Sequence, residues 1–445
     1  MPYMDQLAKE GEMILAPYYE GTLRLADFFV PHNEHRIAPT LALNLALAAA
    51  GGKWDARVQC LANALLHGAL AAAMVGFFWR HFSRRWALSA AWLLAVLCAL
   101  GLDWQNTLGG FQSQFYFLAG FSLAAIYGLL AVRGPLSVRW WVGLSCALLA
   151  VVSMGSGFLC AAPVALAVGL RCAANRRISM ADGTTLLASA VFLGAGWRLR
   201  APAPWHAVLH ARNAGDFLAY FAHCLSWPRP EWPWLGALVW LPWAILAVRA
   251  VWRPGPRYDE RSEVLLACGL WVLLQAAAVA YARGAGGGYP ASRYGAVFSI
   301  GVAANLAVFP LLGGAAHGRP RAGFAVLWIA LVLGAGAAAA SPIWRLELPA
   351  AAARYRECEA NVRGYVLTGD VRFLEKGEQP LPYRDWLRRI LDRPAIRAHL
   401  PESVGGPARM SALSETARLL CRQGPAIFGA GVVLLLAATA LETRR

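Results

Sequence analysis

The sequence predicts an all-α polytopic membrane protein of about eleven transmembrane helices, and three observations predict it. First, 58% of the 445 residues are hydrophobic and 15% are charged, against roughly 25% charged in a typical soluble domain; mean hydropathy is +0.45. Second, the apolar residues come in blocks of about 18–25, the length that crosses about 30 Å of hydrocarbon. Third, the net charge of +16 is almost all arginine, since Lys9, Lys53 and Lys376 are the only lysines, and most arginines cluster where apolar blocks end. These features exclude a disordered chain, a collagen and an ordinary cytosolic enzyme. A basic chain can mean a nucleic-acid partner, but arginines at segment ends read instead as the positive-inside bias.

Taken in order, the spans fall near 57–79, 87–103, 115–132, 139–153, 157–171, 183–198, 233–250, 264–282, 295–313, 324–341 and 424–441. The fourth and fifth are separated by the turn signal Gly155-Ser156-Gly157. Arginines mark every second connection: Arg80, Arg84 and Arg85; Arg133 and Arg139; Arg171, Arg176 and Arg177; Arg249, Arg253, Arg257 and Arg261; Arg319 and Arg321; Arg444 and Arg445. The positive-inside rule makes these connections cytoplasmic. Residues 1–56, 104–114, 199–232, 283–294 and 342–423 then face outward. Residues 1–30 hold neither a signal peptide nor a span, so an outer N-terminus implies a further helix ahead of Met1.

The expected organisation is an outer-face loop with interfacial helices (1–56), a transmembrane body (57–341), a small soluble helical outer region (342–423) and a C-terminal helix with a basic tail (424–445). Turn signals at Thr368-Gly369-Asp370 and Gly405-Gly406-Pro407 break the third part. The apolar stretch 37–50 is too short to span comfortably and reads as a helix in the outer interface. Nine cysteines include no C-x-x-C pair, and at least five lie in apolar segments. They read as small buried hydrophobes. Cys224, Cys358 and Cys421 fall in outer regions with no pairing deducible.

Nearly all chemistry-bearing residues lie on the outer side. The first segment carries Asp5, Glu10, Glu12, Glu20 and Asp27, then Pro31-His32-Asn33-Glu34-His35-Arg36. Five consecutive polar residues of these types suit a metal, a phosphate or a sugar. Glu34 is a candidate base or ligand, Arg36 a candidate phosphate partner, and His32 and His35 would share a face on a helix. The plain alternative is a solvated loop beside the membrane. His-x-x-His alone is a weak metal signal, so no metal site is assigned.

A second cluster runs from Asp103-Trp104-Gln105-Asn106 to Gly109-Gly110-Phe111-Gln112-Ser113-Gln114. Amides beside aromatics suit hydroxyl recognition on a sugar ring; an interfacial aromatic belt with polar caps explains them equally well. A third spans Arg283-Gly284 to Tyr289-Pro290-Ala291-Ser292-Arg293-Tyr294. Arg293 sits at the outer start of a span, against the positive-inside bias, where arginine plus a helix N-terminus makes an anion site. The alternative is an arginine snorkelling to the headgroups. The loop 199–232 carries His206 and His210 at i, i+4, which read as surface histidines because no glutamate accompanies them.

The run Pro2-Tyr3-Met4-Asp5-Gln6, then Phe29-Val30-Pro31 through Arg36, then Asn106 to Gln114, then Ser292-Arg293-Tyr294, resembles a bacterial group of multi-spanning proteins that are similar to GT-C-type glycosyltransferases. Leu391-Asp392-Arg393-Pro394-Ala395-Ile396-Arg397 to Leu400-Pro401 also fits that group. The resemblance implies a GT-C-like fold in the bacterial cytoplasmic membrane with the active face periplasmic. It implies transfer of a sugar from a polyprenyl-phosphate donor, with an early acidic residue as base, here Asp5. It implies basic residues on the donor phosphate: Arg293, with Arg36 and Tyr294 beside it. His32, Asn33, His35, Asn106, Gln112 and Gln114 would contact substrate. Arginine or a divalent cation would stabilise the departing phosphate; no cofactor is read from a motif, and the acceptor is not specified. The chain departs from the family in lacking the first helix, which leaves Asp5 near the chain start and makes Glu34 the alternative carboxylate.

The competing classes are a lipid or glycan transporter (flippase) and a non-enzymatic assembly protein. A transporter calls for polar residues at mid-membrane, where His67 and Gln275 are the main cases.

Overall fold

The computed structural model describes residues 1–130, 134–135, 137–252, 259–312, 318–406 and 411–443. Arg133, Arg253, Arg257, Arg444, Arg445 and Pro407 lie outside the described residues, as do the side chains of Arg319 and Arg321. Among the described residues every regular element is helical. After an N-terminal segment come α1 (Ala38–Gly51), α2 (Ala56–His81), α3 (Arg84–Ala99), α4 (Ser113–Leu130), α5 (Val138–Val151), α6 (Ala161–Asn175) and α7 (Met180–Arg198). Then follow α8 (Ala214–Leu225), α9 (Leu235–Trp252), α10 (Glu260–Arg283), α11 (Gly295–Val308), α12 (Gly318–Pro342), α13 (Leu348–Thr368), α14 (Arg384–Leu391) and α15 (Ala412–Thr443).

Eight helical stretches are long and apolar enough to cross a membrane, with α12 and α13 counted as one continuous stretch. The architecture is that of a polytopic helical membrane protein. Helices α3, α5 and α7 occupy three further expected spans at 16, 14 and 19 residues without meeting that standard. The outer-interface expectation for 37–50 corresponds to α1, which Gly52 ends in the left-handed conformation at φ 61°. Asp55 then opens α2 by accepting from the Arg57 amide.

Helix ends sort into two sets. At one end, Ala38 N donates to Val152 O at 2.9 Å, Ala211 N to Tyr281 O at 2.8 Å, and Trp344 Nε1 to Leu100 O at 3.1 Å. At the other, Arg171 pairs with Glu263 and reaches Leu130 O at 3.2 Å, and Arg261 Nη1 donates to His81 O at 3.1 Å. Every expected outer segment gathers at the first end.

Packing inside the bundle relies on small residues and repaired backbone. A Cβ added at Gly128 of α4 would stand 2.8 Å from Gly143 Cα of α5, the close approach that small residues permit between membrane helices. Pro242 interrupts the ladder of α9; Trp243 N turns instead to Asn305 Oδ1 at 2.9 Å, and Val239 O accepts from Trp328 Nε1 at 3.2 Å. Neighbouring helices thus satisfy groups that a proline frees.

The N-terminal segment and the region after α12 share one core. Leu7, Leu15 and Trp54 pack in the same apolar cluster as Val362, Leu387, Ile390 and Leu400. Trp386 Nε1 donates to Glu12 Oε2 at 2.5 Å, and Arg393 forks onto Glu20 at 2.8 and 3.1 Å. Sequence division of 1–56 from 342–423 therefore cuts through a single packed cap. The cap begins with a ten-residue π-helix, Gln6–Leu15, within the 1–56 stretch where interfacial helices were expected; π-turns are rare and frequent at functional sites.

Candidate functional site

The 31–36 segment is a tight turn, not a helix. His32 N donates to His35 O at 2.7 Å and His35 N to His32 O at 3.0 Å. Asn33 takes φ 50°, a left-handed value that asparagine tolerates better than most residues. The two histidines therefore point to different partners rather than sharing a helical face. His32 Nε2 lies 3.1 Å from Asp5 Oδ2, and its ring meets Phe111 edge-on at 5.4 Å. His35 Nδ1 accepts from Gly155 N at 3.1 Å. Only glycine fits there, since a Cβ would stand 2.5 Å from Glu34 O. Asn33 Oδ1 accepts from Trp205 Nε1 at 3.3 Å. Arg36 Nη1 donates to Leu199 O, so the segment is fastened to the 199–210 loop rather than solvated.

Glu34 is the electrostatic centre of this turn. Arg283 Nη2 donates to Oε1 at 2.6 Å, His206 Nδ1 donates to Oε2 at 2.5 Å, and His35 Nε2 is 3.7 Å away. Burial pushes the carboxyl up, but the His35 and Arg283 charges outweigh it and hold it at about 2. Burial in turn pushes His35 down to about 4. A carboxylate so tightly paired is a poor proton acceptor, so its surroundings favour an anchoring role for Glu34 over the base role expected of it. It anchors the turn to α10. Arg283 thus holds Glu34, while Arg36 holds a backbone carbonyl.

Asp5 stands differently. Its side chain is 59% exposed. The hydrogen bond from His32 lowers its pKa against the effect of burial, and the charges of Arg293 and His206 add to the lowering. Arg293 is thus close to Asp5. Among the described residues no carboxylate comes within salt-bridge distance of its guanidinium, which lies 5.5 Å from the Tyr294 ring centre. Tyr294 itself is buried against Phe115 and Phe298, so its ring supports Arg293 and packs the core.

The amide cluster is mostly interior. Asn106 is fully buried and its Nδ2 donates to Arg293 O at 2.6 Å, which fixes the start of α11. Gln114 is buried and donates to Gln112 Oε1 at 3.1 Å. Asn106 Oδ1 and Gln114 Oε1 are buried acceptors without a partner in the protein. These residues converge with the turn and Arg293 at one end of the bundle, but Asn106 and Gln114 sit behind the surface, shaping it.

A buried network that sequence reasoning passed over lies beside them. Glu10 is fully buried. It accepts from Asn44 Nδ2 at 2.9 Å, Trp54 Nε1 at 2.6 Å and Gln59 Nε2. Burial pushes its carboxyl up to about 7, against those donors. Lys9, equally buried, donates to Val30 O at 3.0 Å, and burial pushes it down to about 8. Arg283 and His206 were also unmarked as partners of Glu34: they lie 249 and 172 positions away, and no local pattern joins such residues.

Below the site an apolar cavity of about 620 Å³ runs between α2, α4, α10 and α11, past Leu66, Met74, Phe117 and Phe121 to Tyr127. Tyr116 lines its near end and donates to Asp103 Oδ2 at 2.8 Å. The two polar side chains expected at mid-membrane find partners inside the protein. His67 lies 3.5 Å from Asp103 and 3.4 Å from Cys98 Sγ, and Gln275 donates to Ser156 O at 3.2 Å. Among the described residues no group of three or more His, Cys, Asp or Glu is arranged to hold a metal ion. His206 serves Glu34 while His210 leans on Tyr281 at 5.0 Å, so the i, i+4 pair does not share a ligand. Comparison with protein-family models, curated proteins and solved structures finds no match to this chain.

Proposed function

We propose that the protein is a membrane glycosyltransferase of GT-C type that moves a sugar from a polyprenyl-phosphate donor to an acceptor hydroxyl. One observation carries the reading: a half-exposed carboxylate bonded to a histidine, Asp5–His32, opens beside Arg293, a cation that no carboxylate pairs among the described residues. The apolar cavity beneath is suited to the isoprenoid chain. In this reading Asp5 takes the proton from the acceptor hydroxyl as its oxygen forms the new bond to the anomeric carbon. The old bond from that carbon to the phosphate oxygen breaks, and Arg293 stabilises the polyprenyl phosphate that leaves. His32 holds Asp5 ionised. Glu34, Arg283 and His206 keep the turn rigid, and Arg36 ties it to the neighbouring loop. The site end is periplasmic in this proposal, and α3, α5 and α7 complete an eleven-span body in a bacterial cytoplasmic membrane.

The transporter reading has less support, because His67 and Gln275 are bonded within the protein rather than lining a polar path. The test is turnover of a polyprenyl-phosphate sugar by purified protein in lipid. Asp5→Asn is expected to lower kcat by about 10²–10⁴ without changing the melting temperature. Arg293→Ala is expected to raise KM for the donor as well, with Arg293→Lys recovering part, since a point charge replaces a fork. Wild-type turnover in all three variants would overturn the assignment.

A further inference from the structure

A second polar hollow, of about 310 Å³, lies apart from this site where α2 and α15 begin. Four cations line it: Lys53, Arg57, Arg363 and Arg418. Two carboxylates, Asp55 and Glu402, share the lining and leave two positive charges in excess. Asp55 is already committed. It caps α2, and Arg57 grips it through two bonds, at 3.0 and 2.9 Å. Arg363 and Arg418 are exposed, and among the described residues neither comes within salt-bridge distance of a carboxylate.

The helices add to this field. Both α2, of 26 residues, and α15, of 32, start at the hollow, so the positive ends of two long helix dipoles face it. Its depth is set by α15. Arg418 precedes Gly424, where the apolar run of that helix begins, by six residues or about 9 Å. That is the level of lipid headgroups. None of the membrane-crossing window of α15 is buried in the protein, so the hollow opens onto bilayer lipid along that helix.

We propose that this hollow binds a phosphate group, and that the phosphate is the headgroup of an anionic phospholipid whose chains lie along the exposed face of α15. Basic pockets between membrane helices recognise headgroups in this way, through charge at short range. The site does not depend on the transferase reading and touches none of its residues.

The experiment is native mass spectrometry of full-length protein released from nanodiscs of phosphatidylcholine doped with phosphatidylglycerol. Wild type is expected to retain the anionic lipid over the zwitterionic one by roughly tenfold or more. The double variant Arg363→Glu/Arg418→Glu is expected to lose that preference. Arg422→Glu, a single charge reversal one turn further along α15 and outside the hollow, is expected to keep it. If the reversal variant does not fold, Arg363→Gln/Arg418→Gln replaces it. Unchanged preference in a folded double variant overturns the proposal. A melting-temperature rise from millimolar inorganic phosphate in pure phosphatidylcholine discs, lost in the double variant, would uphold the phosphate site and overturn its lipid source.

Discussion

Glu10 and Glu34 are carboxylates withdrawn from water at the same end of the helix bundle, and their surroundings answer the charge in opposite ways. Around Glu10 the donors are neutral: two amides and an indole. Burial wins, and the group rises to about 7. Around Glu34 the donors are an arginine and a histidine. The charges of His35 and Arg283 outweigh burial, and the group falls to about 2. Removal from water alone therefore says little about a carboxylate; the formal charge of its donors decides whether it is held as an acid or as an anion. Glu34 is a fixed negative post that aligns a turn. Glu10 sits near neutrality inside the cap and holds π-helix, α1 and α2 together.

The largest expected effect comes from taking away the cation. Arg283→Ala leaves Glu34 with only its two histidine neighbours and is expected to cost about 2–3 kcal/mol, below the 3–5 of fully buried pairs because the pair is partly exposed. Thermal unfolding in detergent measures it, and Arg283→Ala/Glu34→Ala should recover part of the loss. Additive losses in the double variant would mean that the two groups do not act as a pair.

The next effect sharpens the contrast by sign. The folded pKa of Glu10 lies above its ordinary 4.5, so between pH 4.5 and about 7 the folded protein holds more protons than the unfolded chain. Stability from Glu10 is then greatest at the acid side and falls as pH rises through that window, by on the order of 2–3 kcal/mol. For Glu34 the folded value lies below 4.5; its contribution is present above pH 4.5 and is lost as pH falls toward 2. Melting temperatures from pH 3 to 8 for wild type, Glu10→Gln and Glu34→Gln separate the two. Slopes of the same sign would break the comparison.

The smallest effect tests the turn itself. Asn33→Ala places a residue with no local hydrogen bonding at φ 50° and is expected to cost about 1 kcal/mol, while Asn33→Gly should be nearly neutral. Equal melting temperatures for the alanine variant and wild type would show that the left-handed position carries no strain.

The helical body was legible in the sequence because hydrocarbon thickness imposes a length on apolar blocks; α2, α10 and α11 stand where those blocks predict them. The residues of the candidate site were legible as polar clusters on one side of the chain. Their pairing was not. Glu34 meets Arg283 and His206 only because α10 and the loop after α7 return to the same place, and composition carries no trace of that meeting. The π-helical Gln6–Leu15 escaped for a related reason. Its turn is set by packing Glu10, Leu7 and Leu15 against Trp54 and the 362–404 helices, and the helical period alone gives no such cue. Arg36 and Tyr294 were read as ligand contacts from type and position; the guanidinium of one binds a backbone carbonyl and the ring of the other packs in the core.

The shared cap also sets a schedule. Met4 N donates to Pro380 O at 2.7 Å, and the Glu12–Trp386 and Glu20–Arg393 contacts join positions 374 and 373 residues apart. At synthesis rates of about 5–20 residues per second, the partners of the first segment emerge roughly 20–75 s after it does. Glu12 and Glu20 therefore wait for their partners while the whole helical body is inserted. Ribosome-arrested chains ending at Pro349 should leave the Gln6–Leu15 segment open to protease, and released full-length chains should close it; equal protection in both would show that the segment folds without its distant partners. Assembly of the candidate site is in this sense a readout of completed synthesis, since a chain stopped before α14 carries Asp5 and Arg293 but not the surface that holds the first of them in place.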